Sequence, residues 1–200
     1  MGSLVSSQWL KACLEGNLDI VEHFVENGQD VNFAESGGAT GLIVASGDGK
    51  ANVVRFLLSK GARVDHQTID AGNSALFCAV VKGHLEVCKL LVAKGADVNQ
   101  GTNVGLSPWL LACAKGHLDI VEHFVEHCGQ DVNFASSGGV TGLMCASGEG
   151  KPNVVRFLLS KGARVDRTMD DGNTALDLAV SNGHGEIVEL LTRHASASAN

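Results

Sequence analysis

The sequence predicts an all-α stack of helix-turn-helix units joined by short turns, and three observations predict it. The first is a duplication: residues 52–65, NVVRFLLSKGARVD, return unchanged at 153–166, and LDIVEHFVE at 18–26 returns at 118–126. The second is a finer period of 33 or 34 residues between equivalent large apolar residues: Trp9, Leu42, Leu76, Trp109, Leu143 and Leu176. The third is helical spacing of apolar residues inside each period. Together they are typical of a repeat array.

Composition narrows the class of partner. With 200 residues, 44% of them hydrophobic, the chain can bury a sizeable core. Its net charge of −7 gives no general attraction to nucleic acid or to an anionic membrane surface, so we expect neither as a partner. No apolar run approaches the roughly 20 residues that cross a bilayer.

The six cysteines favour a reducing compartment. Cys13 and Cys113 occupy a column that holds Ser46, Val80 or other small or apolar residues elsewhere, which is the usage of a small buried side chain rather than of a disulfide. We therefore expect a cytoplasmic protein, with a nuclear location as the alternative.

One unit, residues 102–133, shows how each repeat forms. Ser107 caps a helix that Pro108 starts, because the hydroxyl accepts free backbone amides and proline fixes φ at the first helical position. A short apolar helix over 109–114 follows, then a turn and a second helix from Leu118. Gly129 ends it.

The other units repeat this plan. Their predicted helix starts are Thr40, Ser74, Thr141 and Thr174. Helices of about eight to eleven residues are too short to persist alone in water, because nucleation costs more than so few hydrogen bonds return. Each pair must therefore pack on its neighbours.

Several segments carry a family resemblance. They are SPWLLAC at 107–113, Gly-His at 83–84, 116–117 and 183–184, and GADVN at 95–99. These letters resemble the ankyrin repeat, with its T-P-L-H-x-A-A start, Gly-His turn and G-A-D-V-N end. The resemblance implies an all-α ankyrin-repeat solenoid of stacked helix-turn-helix units with short β-hairpin-like turns. It implies one domain over 6–194 with six repeats at about 6–32, 33–65, 66–99, 100–133, 134–166 and 167–194.

The termini are expected to be tails, at residues 1–5 and, frayed, at 195–200. The start MGSLVS also fits N-terminal myristoylation of Gly2, although the same letters arise from an expression vector.

The chain departs from the family pattern in three ways. Gly-Lys at 49–50 and 150–151 replaces the Gly-His turn. Thr-Gly at 40–41 and 141–142 replaces the Thr-Pro start. The family histidine two residues after that proline is absent, and its positions hold Leu10, Ile43, Phe77, Leu110, Met144 and Asp177. In the family this imidazole bonds neighbouring turns, so the resemblance implies less rigid turns here.

A search for chemistry finds no catalytic constellation, so we expect no enzyme, no cofactor and no metal. The Gly-Lys pairs at 49–50 and 150–151 lack the other residues of a phosphate loop. His123 and His127 lie four apart with Cys128 adjoining, which allows partial zinc ligation, but solvated surface is the favoured interpretation.

Asn99 lies in LLVAKGADVN, which resembles the site hydroxylated on asparagine in some ankyrin proteins. A structural turn residue is the favoured alternative.

The resemblance also implies a function: ankyrin proteins bind other proteins on the concave face formed by turns and first helices. The matching helix-end positions are Glu15, Asp48, Lys82, Lys115, Glu149 and Asn182, and the matching turn positions are Ala39, Asn73, Leu106, Val140 and Asn173. Charges along the helix ends predict a basic middle flanked by acidic ends. Phe77 and Met144 are expected either as apolar anchors or as packing between repeats.

We therefore expect a non-catalytic, monomeric protein-binding module. The alternatives are a self-associating scaffold and a targeting domain of a larger enzyme or signalling protein. A column on the second helices also predicts that Glu22 faces Arg55 and that Arg156 faces Glu122 and Glu189.

Overall fold

A computed structural model describes the backbone of residues 2–198 and the side chains of residues 8–196. The chain forms two compact units that divide between Val104 and Gly105, and each is described by itself. Unit 1 denotes the residues up to Val104, and unit 2 those from Gly105. The predicted repeat limits and the single domain over 6–194 stay predictions.

Each unit contains three helix pairs within the described residues, which confirms the all-α class. Unit 1 contains α1 (Gly2–Glu15), α2 (Leu18–Glu26), α3 (Gly41–Gly47), α4 (Ala51–Ser59), α5 (Ala75–Val81) and α6 (Leu85–Ala93). Unit 2 contains α7 (Pro108–Lys115), α8 (Leu118–Cys128), α9 (Gly142–Gly148), α10 (Pro152–Ser160), α11 (Ala175–Ser181) and α12 (Gly185–Ser198).

The terminal helices are longer than expected. The backbone of residues 2–5, expected as a tail, belongs to α1, and that of 195–198 continues α12. Neither stretch contains an internal glycine or proline that would end a helix. Met1 and residues 199–200 of the expected tails lie outside the described residues, and lipidation of Gly2 stays a prediction.

All five predicted first-helix caps form. In each, the hydroxyl accepts a hydrogen bond from the backbone N–H three residues on: Thr40, Ser74, Ser107, Thr141 and Thr174. Such a cap satisfies an amide that has no partner inside the helix.

First helices pack on first helices and second on second. The order is α1–α3–α5 and α2–α4–α6 in unit 1, and α7–α9–α11 and α8–α10–α12 in unit 2. Trp9 and Trp109 are fully buried in the first-helix layer, as predicted. Leu176, the last residue of the same column, is 36% exposed on α11.

The Thr-Gly starts are explained by the tryptophans. A Cβ added to Gly142 would lie 2.8 Å from Cys113 Sγ and 2.9 Å from Trp109 Cζ2, and one added to Gly41 would lie 3.0 Å from Trp9 Cζ2. The indole ring of one repeat thus fills the space that the proline of the next repeat would need. Where leucine stands in the preceding repeat instead, the position holds Ala75, Pro108 or Ala175.

Backbone hydrogen bonds tie neighbouring turns. Isolated antiparallel bridges close the turns at Ala34–Thr40, Gln67–Ser74 and Ala135–Thr141, as the hairpin-like prediction required. Ile69 N–H donates to Gly37 O at 3.0 Å, and Asp170 N–H donates to Gly138 O at 3.2 Å. In unit 1 the His66 ring also bonds Gly38 O at 2.9 Å. Bonds between turns therefore form without the family histidine.

The predicted ion pairs of the second helices are wrong. Arg55 pairs with Glu86 at 3.3 Å, and Arg156 pairs with Glu186 at 2.6 Å. Both acids lie one helical turn before the column position, towards the helix N-terminus, which is the direction in which helical side chains point. Exposed pairs of this kind stabilise by about 0–1 kcal/mol.

Candidate functional site

The ends of the first helices and the turns that precede them are here named the inner-helix surface of each unit. Its predicted contact positions are Glu15, Ala39, Asp48, Asn73 and Lys82 in unit 1, and Leu106, Lys115, Val140, Glu149, Asn173 and Asn182 in unit 2. In unit 2 this surface contains a groove of about 370 Å³ between α7, α9, α11 and the three turns that precede these helices. Five predicted contact residues line it: Leu106, Val140, Met144, Glu149 and Asn182. The remaining lining is Ala114, Cys145, Gly148, Met169 and Leu178.

Met144 forms a wall of the groove rather than a projecting anchor. It is only 1% exposed, because the residue lies on the first turn of α9 against the core. Its sulfur accepts a hydrogen bond from Thr141 N–H at 3.4 Å, so the side chain is turned back towards the cap. The packing alternative is therefore correct for Met144, while Phe77 of unit 1 is half-buried.

Cys145 keeps the groove wall uncharged. Burial raises the pKa of its thiol to about 12, and the Glu149 carboxylate adds to the rise. At neutral pH the thiol therefore stays protonated and packs as a small apolar group.

Glu149 lies exposed at the groove rim, just after the last residue of α9. Within the part of the chain that the structure describes, it forms no salt bridge. Asn182, at the end of α11, donates instead from Nδ2 to Gly148 O at 2.8 Å. The amide is thereby held at the backbone of α9.

In unit 1 the acid at the matching position is paired with a lysine. Asp48, the counterpart of Glu149, forms a salt bridge with Lys82, the counterpart of Asn182. The hydrogen bond from Lys82 holds the pKa of the Asp48 carboxyl below its ordinary value. The charge of Lys82, which belongs to the predicted basic middle of the surface, is thus balanced by Asp48 inside unit 1, and its role as a partner contact stays a prediction.

The other predicted contact residues lie outside this groove. Glu15 is exposed, with its Oε1 3.8 Å from Lys11 Nζ. Lys115 is exposed at the end of α7. Asn73 and Asn173 lie half-buried in turns, where their backbone amides donate to Thr68 and Asp171. Ala39 O accepts from Glu35 N–H inside its own turn.

Comparison with known proteins decides the family. Residues 9–102 and 109–200 each match the family described as ankyrin repeats (3 copies). The chain belongs to the ankyrin-repeat family. Ankyrin repeats are protein-interaction modules, and each unit of this chain carries three of them.

Relatives place these ankyrin repeats in proteins of very different size. The chain is 32% identical to ankyrin repeat and KH domain-containing protein mask-1 of Caenorhabditis elegans, over 94% of this chain and 8% of that protein. It is 36% identical to human ankyrin repeat domain-containing protein 63, over 72% of this chain and 40% of that protein. It is 31% identical to putative ankyrin repeat protein YahD of Escherichia coli K12, over 92% of this chain and 94% of that protein. The chain thus spans less than half the length of the first two.

Several groove residues escaped the sequence analysis of the ankyrin repeats. Met169, Leu178 and Cys145 were not predicted as contacts. Met169 lies four residues before the turn position Asn173, and Cys145 and Leu178 each directly follow a position of the missing histidine. The apolar character of all three along one row was the available signal.

Asn99 occupies a column with a structural role. Its counterparts Asn32 and Asn133 accept a hydrogen bond from the next repeat through Oδ1, from Arg63 N–H and Arg164 N–H, both at 2.8 Å. Asn99 N–H donates to Asp97 Oδ1 at 2.8 Å. These contacts favour the turn interpretation, and hydroxylation of Asn99 stays a prediction.

Neither a metal-binding cluster nor a membrane-spanning helix is found among the described residues. The His123 and His127 rings stack with centroids 5.1 Å apart, and no group of three metal-ligating side chains gathers among the described residues. Over the same residues, every helix is too short or too polar to cross a membrane.

Proposed function

We propose that the chain is a non-catalytic module that binds a partner protein on its inner-helix surface. The observation that carries this proposal is the convergence of five family contact positions on the unit 2 groove, between α9 and α11. Grooves of a few hundred Å³ with apolar walls and few polar groups are the usual form of a binding site.

Affinity capture from the source cell tests the proposal. The unmodified chain is compared with Glu149→Lys, which reverses charge at the groove rim, and with Glu189→Lys, which makes the same change on the exposed part of α12. A partner that is retained by the unmodified chain and by Glu189→Lys, but lost by Glu149→Lys, supports binding on this surface. The captured partner is then purified and its direct binding measured.

Recovery that is equal for both variants would place binding elsewhere on the chain. Sedimentation over a range of concentrations tests the scaffold alternative, since a monomer at every concentration removes self-association. The short coverage of the first relatives keeps a targeting role inside a larger protein as the second proposal.

We also propose a cytoplasmic location, with the nucleus as alternative. The six cysteines are free thiols, which agrees with a reducing compartment. Fluorescence microscopy of the tagged chain in the source cell would test this.

A further inference from the structure

The unit 2 groove has apolar walls and a charged rim. Met144, Met169 and Leu178 form the walls together with the protonated Cys145 thiol. At about 370 Å³ the groove can take one or two aliphatic side chains but not a folded element. Methionine side chains adapt to different apolar shapes, so the walls favour a flexible peptide segment.

The rim carries a carboxylate for which unit 1 shows a natural partner. In unit 1 the Lys82 ammonium bonds Asp48. In unit 2 the side chain at that place is Asn182, which is neutral and donates to Gly148 O. Unit 1 therefore contains, inside its own fold, the contact that a cation from outside would make with Glu149.

One difference between the two units changes the formal charge of the groove lining. Asn182 stands where unit 1 has Lys82, which lowers the formal charge at the end of α11 by one. The acid at the end of α9 is kept, as Asp48 in unit 1 and Glu149 in unit 2. The groove rim therefore keeps its carboxylate and lacks the lysine that pairs with it in unit 1.

We propose that this groove binds a partner segment in which a lysine or arginine stands beside an aliphatic residue. The basic side chain bonds Glu149, and the aliphatic side chain enters between Met144, Met169 and Leu178. The inference rests on the proposed function and names the chemistry of its partner. Charge complementarity of this kind selects the partner and speeds encounter.

A random-peptide phage library is the probe that tests this chemistry without knowing the partner. The library is selected in parallel on the unmodified chain, on Glu149→Gln and on Asp48→Asn. Glu149→Gln keeps the size of the exposed side chain and removes its charge. Asp48→Asn makes the matched change in unit 1, where Lys82 already occupies the carboxylate.

Selected peptides should contain a basic residue next to an aliphatic one with the unmodified chain and with Asp48→Asn. We expect Glu149→Gln to bind these peptides about tenfold more weakly, because a charge-assisted hydrogen bond is lost. An unchanged thermal midpoint in Glu149→Gln would show that the fold is intact.

Methyl NMR then locates the bound peptide. Two of the three methionines, Met144 and Met169, line the groove, so their ¹³C-methyl signals should shift on titration. Equal frequencies of basic residues on the unmodified chain and Glu149→Gln, or unshifted methyl signals, would overturn the proposal. A partner protein that is retained by the Glu189→Lys chain but lost by the Glu149→Lys chain would then still support the proposed function.

A second copy of this chain is the competing occupant. Concentration-dependent association that disappears in Glu149→Gln would identify it and overturn a separate basic partner. A monomer at all concentrations, together with peptides that depend on Glu149, supports the proposal.

Discussion

Unit 1 and unit 2 use the same repeat plan, yet they differ in how one acidic residue at the end of a first helix is paired. Asp48 is neutralised by Lys82 in unit 1, while Glu149 in unit 2 faces Asn182 and remains exposed. The four helices around these pairs are each seven residues long, and each begins after a capping threonine or serine. A duplicated repeat array can therefore keep its core and still acquire a second, chemically distinct surface, since a single exchange at a helix end redistributes the charge.

The largest effect on the free energy of unfolding is expected where the two units agree, at Gly41 and Gly142, which pack against the tryptophans. Gly142→Ala should destabilise unit 2, because the new methyl group would meet Trp109 and Cys113 below 3 Å. Overpacking of this kind costs about 1–3 kcal/mol, and the better helix propensity of alanine offsets at most about 1 kcal/mol. Denaturant unfolding measures the difference, and Gly41→Ala should behave in the same way.

Two controls sharpen this result. Gly138→Ala adds a methyl group where no atom lies within 4 Å, so its effect should stay within about 0.5 kcal/mol. Trp109→Leu in the Gly142→Ala background should restore part of the lost stability, with a coupling of about 1 kcal/mol between the two sites. Strictly additive effects would show that the indole ring does not set the size of the next residue.

The next largest effect, on peptide affinity, is expected at Asn182, which replaces the lysine of unit 1. Asn182→Lys gives unit 2 the lysine of unit 1, which should pair with Glu149. Binding of the basic peptides selected on the unmodified chain should fall about tenfold, or by about 1.4 kcal/mol. Isothermal titration measures the change, and Asn182→Gln serves as a neutral control. Undiminished affinity in the lysine variant would separate Glu149 from recognition.

A smaller effect is expected from the reverse change in unit 1. Lys82→Met should bring the pKa of Asp48 back up towards its ordinary value, because the hydrogen bond that lowers it is lost. Because the pKa of Asp48 is lower in the folded state than in the unfolded state, the pair stabilises the fold at pH values above the ordinary pKa. This contribution is lost as the pH falls through the lowered pKa. Since the pair is exposed, the stability change should not exceed about 1 kcal/mol.

NMR titration of the Asp48 carboxyl carbon measures that pKa, and the shift should shrink with added salt. An Asp48 pKa that is the same in both proteins would mean that the Lys82 contact is absent in solution.

The smallest effect concerns the helix caps. Asp177 accepts hydrogen bonds from Thr174 N–H at 2.9 Å and Thr174 Oγ1 at 2.6 Å, which lower its pKa, whereas unit 1 has Phe77 there. The cap of α11 should therefore weaken as pH falls through the Asp177 pKa, and the Ser74 cap should not respond. Amide exchange at Thr174 and Ser74 across this range measures both. In Asp177→Asn the response should vanish, and a persistent response would assign it to another group.

Local features of the fold were predictable from the sequence. A capping hydroxyl such as Thr141 acts on amides three residues away, so its pattern is complete within one segment. The burial of Trp9 and Trp109 followed from the period, because a column shared by all repeats must face the neighbouring repeat.

The site was predictable only in position. Val140, Glu149 and Asn182 could be placed on one surface from the repeat plan. That Met144 turns back towards Thr141, and that Lys82 reaches Asp48, depends on side-chain directions across neighbouring repeats, which spacing along the chain does not specify. Arg55 gives the same lesson, since it pairs one helical turn away from the predicted column.

The tryptophan-glycine contact bears on how such a chain can grow. Duplication of a single repeat would create a mismatched junction. Either a first helix that begins with alanine or proline would follow a repeat with tryptophan, or one that begins with glycine would follow a repeat with leucine and leave an unfilled gap. Both junctions carry a penalty, whereas a cassette that inherits Trp9 together with Gly41 carries none. The fit between adjoining repeats thus favours amplification in blocks, and recombination between members of this array should preserve the indole and its glycine as one heritable pair.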